Sequence, residues 1–406
     1  MAIDPAAIGR LVEDIGDELV EWRRRLHQNP ELSFEEVETS RFVYETLESF
    51  GAGLELSRPT ETSVLARLVG ENPGRTIAIR ADMDALPVQE ETGLSFASEN
   101  EGVAHACGHD GHIAILLGTA KVLGELREYV NGEVRFVFQH AEELPYGGAE
   151  ELVEAGVVDG ADAVIGLHLA ASLEAGKVGM SSGAVLAAPD RFEIVVEGAG
   201  GHAGWPHLTV DPMAVAAQVV TNLQHVVSRN TDARDAAIVS LTKIVGGTAF
   251  NVIPDKAEME GTMRAFDEEV REKIPELMER VVKGVADAHG ASFSFEYYRG
   301  PDPVVNDEEV ARVVEETARE LFGEEAVEAP TPTMGGEDFS AYQRVAPTAF
   351  FLVGTQNEEK GITHPNHHPS FDIDEDTLPI GVKMFVHATM KLLGAESRTR
   401  TEAKEG

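Results

Sequence analysis

The chain has a single cysteine among its 406 residues, Cys107, so no intrachain disulfide can brace the fold. Basic side chains are also scarce. There are 33 Lys and Arg against 71 Asp and Glu, a formal net charge of −38. No basic stretch exists to neutralise phosphates, which excludes a nucleic-acid-binding role. No apolar run approaches the ~20 residues of a membrane span. The first residues, Met1 to Ile8, show no basic segment followed by an apolar core, as a secretory leader would. These absences lead to the expectation of a cytoplasmic protein without membrane or nucleic-acid partners. Internal repeats are missing too. The pairs Gly246-Gly247 and Gly335-Gly336 lack the Lys and the spacing of a phosphate-binding loop, and suit close backbone approach instead.

The excess acid is spread along the whole chain, with Arg outnumbering Lys and no single acidic tail. Self-repulsion on this scale strains a compact state in dilute buffer. It becomes tolerable where salt shortens the Debye length, to about 3 Å at 1 M. A halophilic cytosolic protein is therefore expected. The length and a hydrophobic content of 43% suffice for two domains, each with its own core.

The densest chemistry lies in His105-Ala106-Cys107-Gly108-His109-Asp110-Gly111-His112, which opens an apolar, helix-like run from Ile113 to Leu126. A thiolate flanked by imidazoles is the donor set that a borderline transition metal such as Zn²⁺ prefers. Around it, periodicity predicts two amphipathic helices over residues 11–50, broken at His27-Gln28-Asn29-Pro30. Strands follow at Ser63–Val69, Thr76–Arg80, Glu133–Gln139 and Ala163–Leu167, the last ending at His168, with a helix at Gly147–Ala155 between them. Strands alternating with helices indicate an α/β domain, whose chemistry gathers beyond the carboxyl ends of the strands. Asp82, Glu142, Glu143 and His168 each follow an apolar strand.

After Pro189 the pattern changes to strand Arg191–Glu197, helix Asp211–Arg229, strands Ala236–Val245 and Lys256–Ala265, helix Asp267–His289 and strand Ser292–Tyr298. This β-α-β-β-α-β order reads as a ferredoxin-like α+β insertion. Gly300-Pro301-Asp302-Pro303 marks the return, and a helix at Asn306–Phe322 and a strand at Ala349–Val353 rejoin the first domain. The polar tail after Ala395 is expected to be disordered. The expected domains are 1–188 with 301–406, and 189–300.

Gln139-His140-Ala141-Glu142-Glu143 is the second motif. Adjacent carboxylates at a strand end can point in different directions, one toward a metal and the other toward the proton of a bound water. With His367-His368-Pro369-Ser370-Phe371 it completes a convergent set of donors.

These motifs, together with Arg24–Leu32, Arg80–Pro87, Gly166-Leu167-His168, Gly200–Ala203, Asn251–Pro254, Gly335–Phe339 and His367–Asp372, make the chain similar to the M20 metallopeptidases. The similarity is to their amidohydrolase branch of aminoacylase, hippurate hydrolase and auxin-conjugate hydrolase types. The resemblance implies a zinc-peptidase-like catalytic domain carrying an inserted lid or dimerisation domain, a homodimer, and hydrolysis of N-acyl amino acids. It implies two divalent ions (Mn, Zn, Co or Ni) held by Cys107, His109, Glu143, His168 and His367, with the thiolate bridging. It makes Glu142 the general base and His202 the oxyanion donor, often delivered from the partner subunit. Asn251 and Arg264 would hold the substrate, and Asp82 and Asp84 would orient the liganding imidazoles.

His105, His112, His364 and His368 read as loop or pocket residues, His27 as structural, and Trp205 and Phe250 as core, with contact to an acyl group as their alternative role. His140 and Leu144 stand where the family commonly has Pro and Gly, which bears on the acyl pocket and leaves the substrate open. A dipeptidase or carboxypeptidase of the same fold, and a catalytically dead metal-binding protein, are the competing readings; the spare carboxylate of Glu142 argues against the latter.

Overall fold

The computed structural model describes residues 5–144 and 147–394. The tail expected to be disordered lies outside the described residues. The chain divides into two compact units. One comprises Met1–Gly183, Val305–Thr331 and Ala341–Gly406, and the other Ala184–Val304 and Pro332–Ser340. The second unit thus takes in Pro332–Ser340, a short returning segment expected to belong to the first. The Thr333 amide donates to the Val185 carbonyl and the Ala187 amide to the Gly335 carbonyl, both at 3.0 Å. These bonds lie far apart in the chain and leave no periodic signal.

The first unit is built on an eight-stranded mixed sheet. At its centre, Asn131–Gln139, Asn72–Asp82, Ala163–Glu174 and Thr348–Gln356 run parallel in that order. Apolar side chains on these strands are almost wholly buried, as parallel strands covered on both faces require. Helix His109–Glu125 is buried nearly all round, a role its apolar sequence dictates.

Several predicted boundaries shift, the strand expected at Thr76–Arg80 spanning Asn72–Asp82 among them. Residues before Pro30 form two helices, Pro5–Asp14 and Gly16–Gln28, in place of one. The apolar positions Ile8, Val12, Ile15, Leu19, Trp22 and Leu26 continue through the break, all in the core, so periodicity alone could not reveal it. The strand expected to end at His168 runs on to Glu174. Its pairing with Asn72–Asp82 stops at Gly166, while Thr348–Gln356 continues alongside. The helix expected from Asn306 starts at Glu308, because the Asp307 side chain caps the Glu309 and Val310 amides. Asn306 itself is buried and exchanges hydrogen bonds with the Phe350 backbone.

The second unit contains four antiparallel strands in the order Ala237–Gly246, Lys256–Ala265, Ala188–Glu197 and Ser292–Tyr298. Helices Pro212–Asn230 and Glu268–His289 supply apolar faces to its core, and Asp211 and Asp267 cap their first turns. With the chain order, this is the ferredoxin-like βαββαβ arrangement. A buried ion pair ties its two ends, Arg271 Nη2 lying 2.6 Å from Asp190 Oδ1, which also accepts from the Gly300 amide at 2.7 Å.

Candidate metal centre

Four segments meet at the carboxyl ends of the central parallel strands. Cys107 and His109 are separated by Gly108, whose φ of +91° turns the chain into the helix that His109 opens. His168 comes from the third parallel strand, with Nε2 3.3 Å from Cys107 Sγ. His367 lies on a loop held by its amide, which donates to the Ala106 carbonyl at 2.7 Å. Glu142 and Glu143 follow a strand that ends at Gln139. They lie beyond the strand, on irregular backbone. Ala141 has φ of +50°, and both carboxylates approach His109 Nε2, at 4.0 and 3.9 Å.

The donor atoms of Cys107, His109 and His168 lie within 4.8 Å of one another, as do those of Cys107, Glu143 and His367. Cys107 belongs to both groups. His109 Nδ1 donates to the Asp84 carbonyl at 2.9 Å and His168 Nδ1 to the Leu169 carbonyl at 2.9 Å. Each ring therefore aims an Nε2 lone pair into the cluster. Among the described residues, His109 Nε2 and Glu143 Oε1 are buried without a hydrogen-bond partner. Orphaned acceptors beside a thiol are what a divalent cation satisfies, so the residues present fit the group the sequence implied.

The electrostatics agree. Burial pushes the Cys107 thiol far up and raises the Glu143 carboxyl. Burial also brings His168 down to about 3, keeping its lone pair free. For His109 burial works downward, and the Asp82 and Asp84 carboxylates outweigh it and raise the imidazole. A cation would reverse that balance by supplying the positive charge itself.

The remaining residues fall as follows. Asp84 orients His109 through its carbonyl, with Oδ1 also 3.3 Å from Nδ1. Asp82 holds a different ring from those expected. Its Oδ1 accepts from His112 Nδ1 at 2.6 Å, and its Oδ2 from Arg80. His112 Nε2 accepts from the Leu169 amide, so both its nitrogens are committed. His105 is buried with neither ring nitrogen hydrogen-bonded among the described residues, His364 and His368 stack on each other at 4.3 Å, and His27 is buried between Asp110 and Glu90.

His202, Asn251 and Arg264 belong to the second unit. His202 is exposed, packs at a tilt against Trp205 with ring centroids 4.7 Å apart and accepts from the Gly204 amide. The Asn251 carbonyl accepts from the Ala203 amide, and Arg264, its charge opposed by burial, donates to the Met334 carbonyl at 3.3 Å. Trp205 and Phe250 are not core residues. They are 59% and 100% exposed.

Two contributors went unnoticed in the sequence. Asn366 Nδ2 donates to the Cys107 carbonyl at 3.1 Å and to the Leu169 carbonyl at 3.4 Å, stapling two of the donor segments. Buried Glu36 accepts from the Ala141 amide at 2.7 Å. Neither stands out among so many polar side chains.

A mixed sheet whose central parallel strands gather thiol, imidazole and carboxylate donors at their carboxyl ends defines a metallohydrolase-type centre. Residues 78–391 match the family model described as peptidase family M20/M25/M40, and the chain belongs to that family. It is 58% identical over 302 residues to an N-acyl-L-amino acid amidohydrolase of Geobacillus stearothermophilus, covering 74% of this chain and 81% of that protein. It is 40% identical to thermostable carboxypeptidase 2 of Saccharolobus solfataricus, over 94% of this chain and 96% of the other. The crystal structure of Bacillus subtilis YXEP protein, described as a dinuclear metal binding peptidase from the M20 family, superposes with a TM-score of 0.83. It is 39% identical, covering 94% of this chain and 99% of that one. The chain is thus a metal-dependent hydrolase of amide bonds.

Proposed function

We propose that this hydrolase cleaves N-acyl amino acids at the amide bond. Cys107, His109 and His168 would hold one divalent ion, and Cys107, Glu143 and His367 a second, the thiolate shared between them. Ions bound there would supply polarisation of the scissile carbonyl and a more acidic water. Glu142, only 11% exposed beside the cluster, takes the proton of the attacking water and delivers it to the leaving amine. Asp84 keeps His109 in the tautomer that leaves Nε2 free. His202 donates to the developing oxyanion, and Asn251 and Arg264 hold the substrate's carboxylate. The ions are Mn, Zn, Co or Ni. The ferredoxin-like insertion, 189–300, serves as lid and homodimer contact for a catalytic domain of 1–188 and 301–406. The protein works in the cytoplasm at high salt.

The observation that carries this reading is the convergence on Cys107 of buried His109 Nε2 and Glu143 Oε1, neither hydrogen-bonded among the described residues, with a second carboxylate alongside. The 40% identity to a carboxypeptidase supports a second reading, peptide cleavage next to a free carboxylate. One experiment tests both. Chelation to verified metal loss should abolish hydrolysis, and Mn²⁺, Co²⁺, Zn²⁺ or Ni²⁺ should restore it. The restored enzyme should turn over N-acetyl and N-benzoyl amino acids faster than unblocked dipeptides. Full activity without metal rejects the centre; the reverse substrate order selects the peptidase reading.

A further inference from the structure

We infer that Glu36 is a positioning residue for the reaction, its buried carboxylate holding the Ala141 peptide and so aiming the Glu142–Glu143 pair. The inference rests on the reading of Glu142 as base and Glu143 as ligand.

Glu36 is fully buried, and among the described residues its side chain meets only neutral donors. Oε1 accepts from the Ala141 amide at 2.7 Å and Oε2 from the Thr62 hydroxyl at 3.0 Å. A sequestered carboxylate with no cation beside it is costly to the fold, and burial accordingly pushes it up to about 7. Such a group stabilises little by itself. What it grips is a peptide in an uncommon conformation.

Ala141 lies in the left-handed region, at φ +50°, which a Cβ disfavours. Its carbonyl accepts from the Gly148 amide at 3.0 Å, so the residue is held on both sides. Two residues on, Asp84 Oδ2 accepts from the Glu143 amide at 3.0 Å and from the Ser33 hydroxyl at 2.7 Å. The backbone on either side of Glu142 therefore ends on a buried carboxylate. Phe34, itself at φ +67°, packs edge-on against His140 with centroids 5.3 Å apart. Segment 33–36 thus braces the turn at three successive places. Among the described residues the only non-glycine positions with positive φ are Phe34, Ala141 and His367. All three belong to this centre or to its brace, where backbone strain is held in place by surrounding contacts.

The test compares Glu36→Gln, Glu36→Asp and Glu36→Asp/Ala141→Gly as Co²⁺-loaded full-length protein, with folding checked by near-UV circular dichroism. Gln keeps an oxygen at the same reach, so kcat and the Co²⁺ absorption spectrum should stay close to those of the parent. Asp keeps the charge but falls one methylene short. It should lower kcat by about 10- to 100-fold with KM little changed, and alter the Co²⁺ spectrum as Glu143 shifts. Glycine at 141 adopts the left-handed turn without strain, so the double variant should recover part of kcat. A Glu36→Asp variant with parental kcat and spectrum overturns the inference. A Glu36→Gln variant as impaired as Glu36→Asp does so too, since charge rather than reach would then matter. Glu142→Gln, assayed in parallel, separates the two levels. If it stays active, the reading of Glu142 fails and this inference with it; if it is inactive beside a fully active Glu36→Asp, the inference alone fails.

Discussion

Burial raises the Cys107 thiol and the Glu143 carboxyl above their ordinary ranges, so each resists giving up its proton until a cation replaces it. Ions bind the deprotonated ligands, and raising the pH therefore favours binding while each binding event releases protons. Calorimetric titration of metal-free protein with Mn²⁺, in two buffers of different ionisation enthalpy between about pH 6 and 8, should show proton release and tighter binding at the higher pH. Binding without proton release contradicts the assignment of these ligands. Cys107→Ala removes the atom shared by both donor groups and should weaken binding of both ions.

At the level of elements, the helix that presents His109 is anchored by charges from elsewhere in the first unit. Arg23 on helix Gly16–Gln28 donates from Nε to Asp110 Oδ2 at 2.8 Å and from Nη2 to Asp372 Oδ1 at 2.8 Å. His27 lies 2.8 Å from Asp110 and 3.3 Å from Glu90. Burial works to raise the Glu90 carboxyl, but hydrogen bonds from His27, Thr92 and the Ser98 amide outweigh it and bring Glu90 to about 2, from an ordinary 4.5. A depressed carboxyl stabilises the fold fully above its unfolded value and loses that contribution as the pH falls toward its folded one. Denaturant unfolding between about pH 4.5 and 2 should thus fall off more steeply for the parent than for Glu90→Gln. Parallel slopes would show that this link carries no stability.

Over the whole molecule, the charge of −38 is the dominant electrostatic fact. The large basic side chains that are buried, Arg23, Arg80 and Arg271, are paired with carboxylates and feel added salt little. Repulsion among the remaining acids is what salt screens. The melting temperature and the hydrolytic activity should rise together from dilute buffer to molar KCl, a series that thermal unfolding reads directly. A melting temperature flat across that range rejects adaptation to salt and leaves the hydrolase unaffected.

Local relations were legible in the sequence. Cys107 and His109 lie two residues apart, Glu142 and Glu143 are adjacent, and the apolar runs before Asp82 and Gln139 announce strands that deliver polar groups at their ends. The βαββαβ order of 189–300 could be read from the change of period. Relations between distant segments could not. The helix break at Ile15 hides inside an unbroken apolar stripe, and the exposure of Trp205 and Phe250 depends on loops whose course no period encodes. Glu36 reaches Ala141 across 105 positions, and among 71 acidic residues no local pattern marks it out. Periodicity and motif spacing register what neighbours in the chain do, so the sequence by itself determined the donor set and the elements that carry it. Which buried carboxylate meets which amide follows from how the sheet orders its strands, and only the tertiary structure decided that.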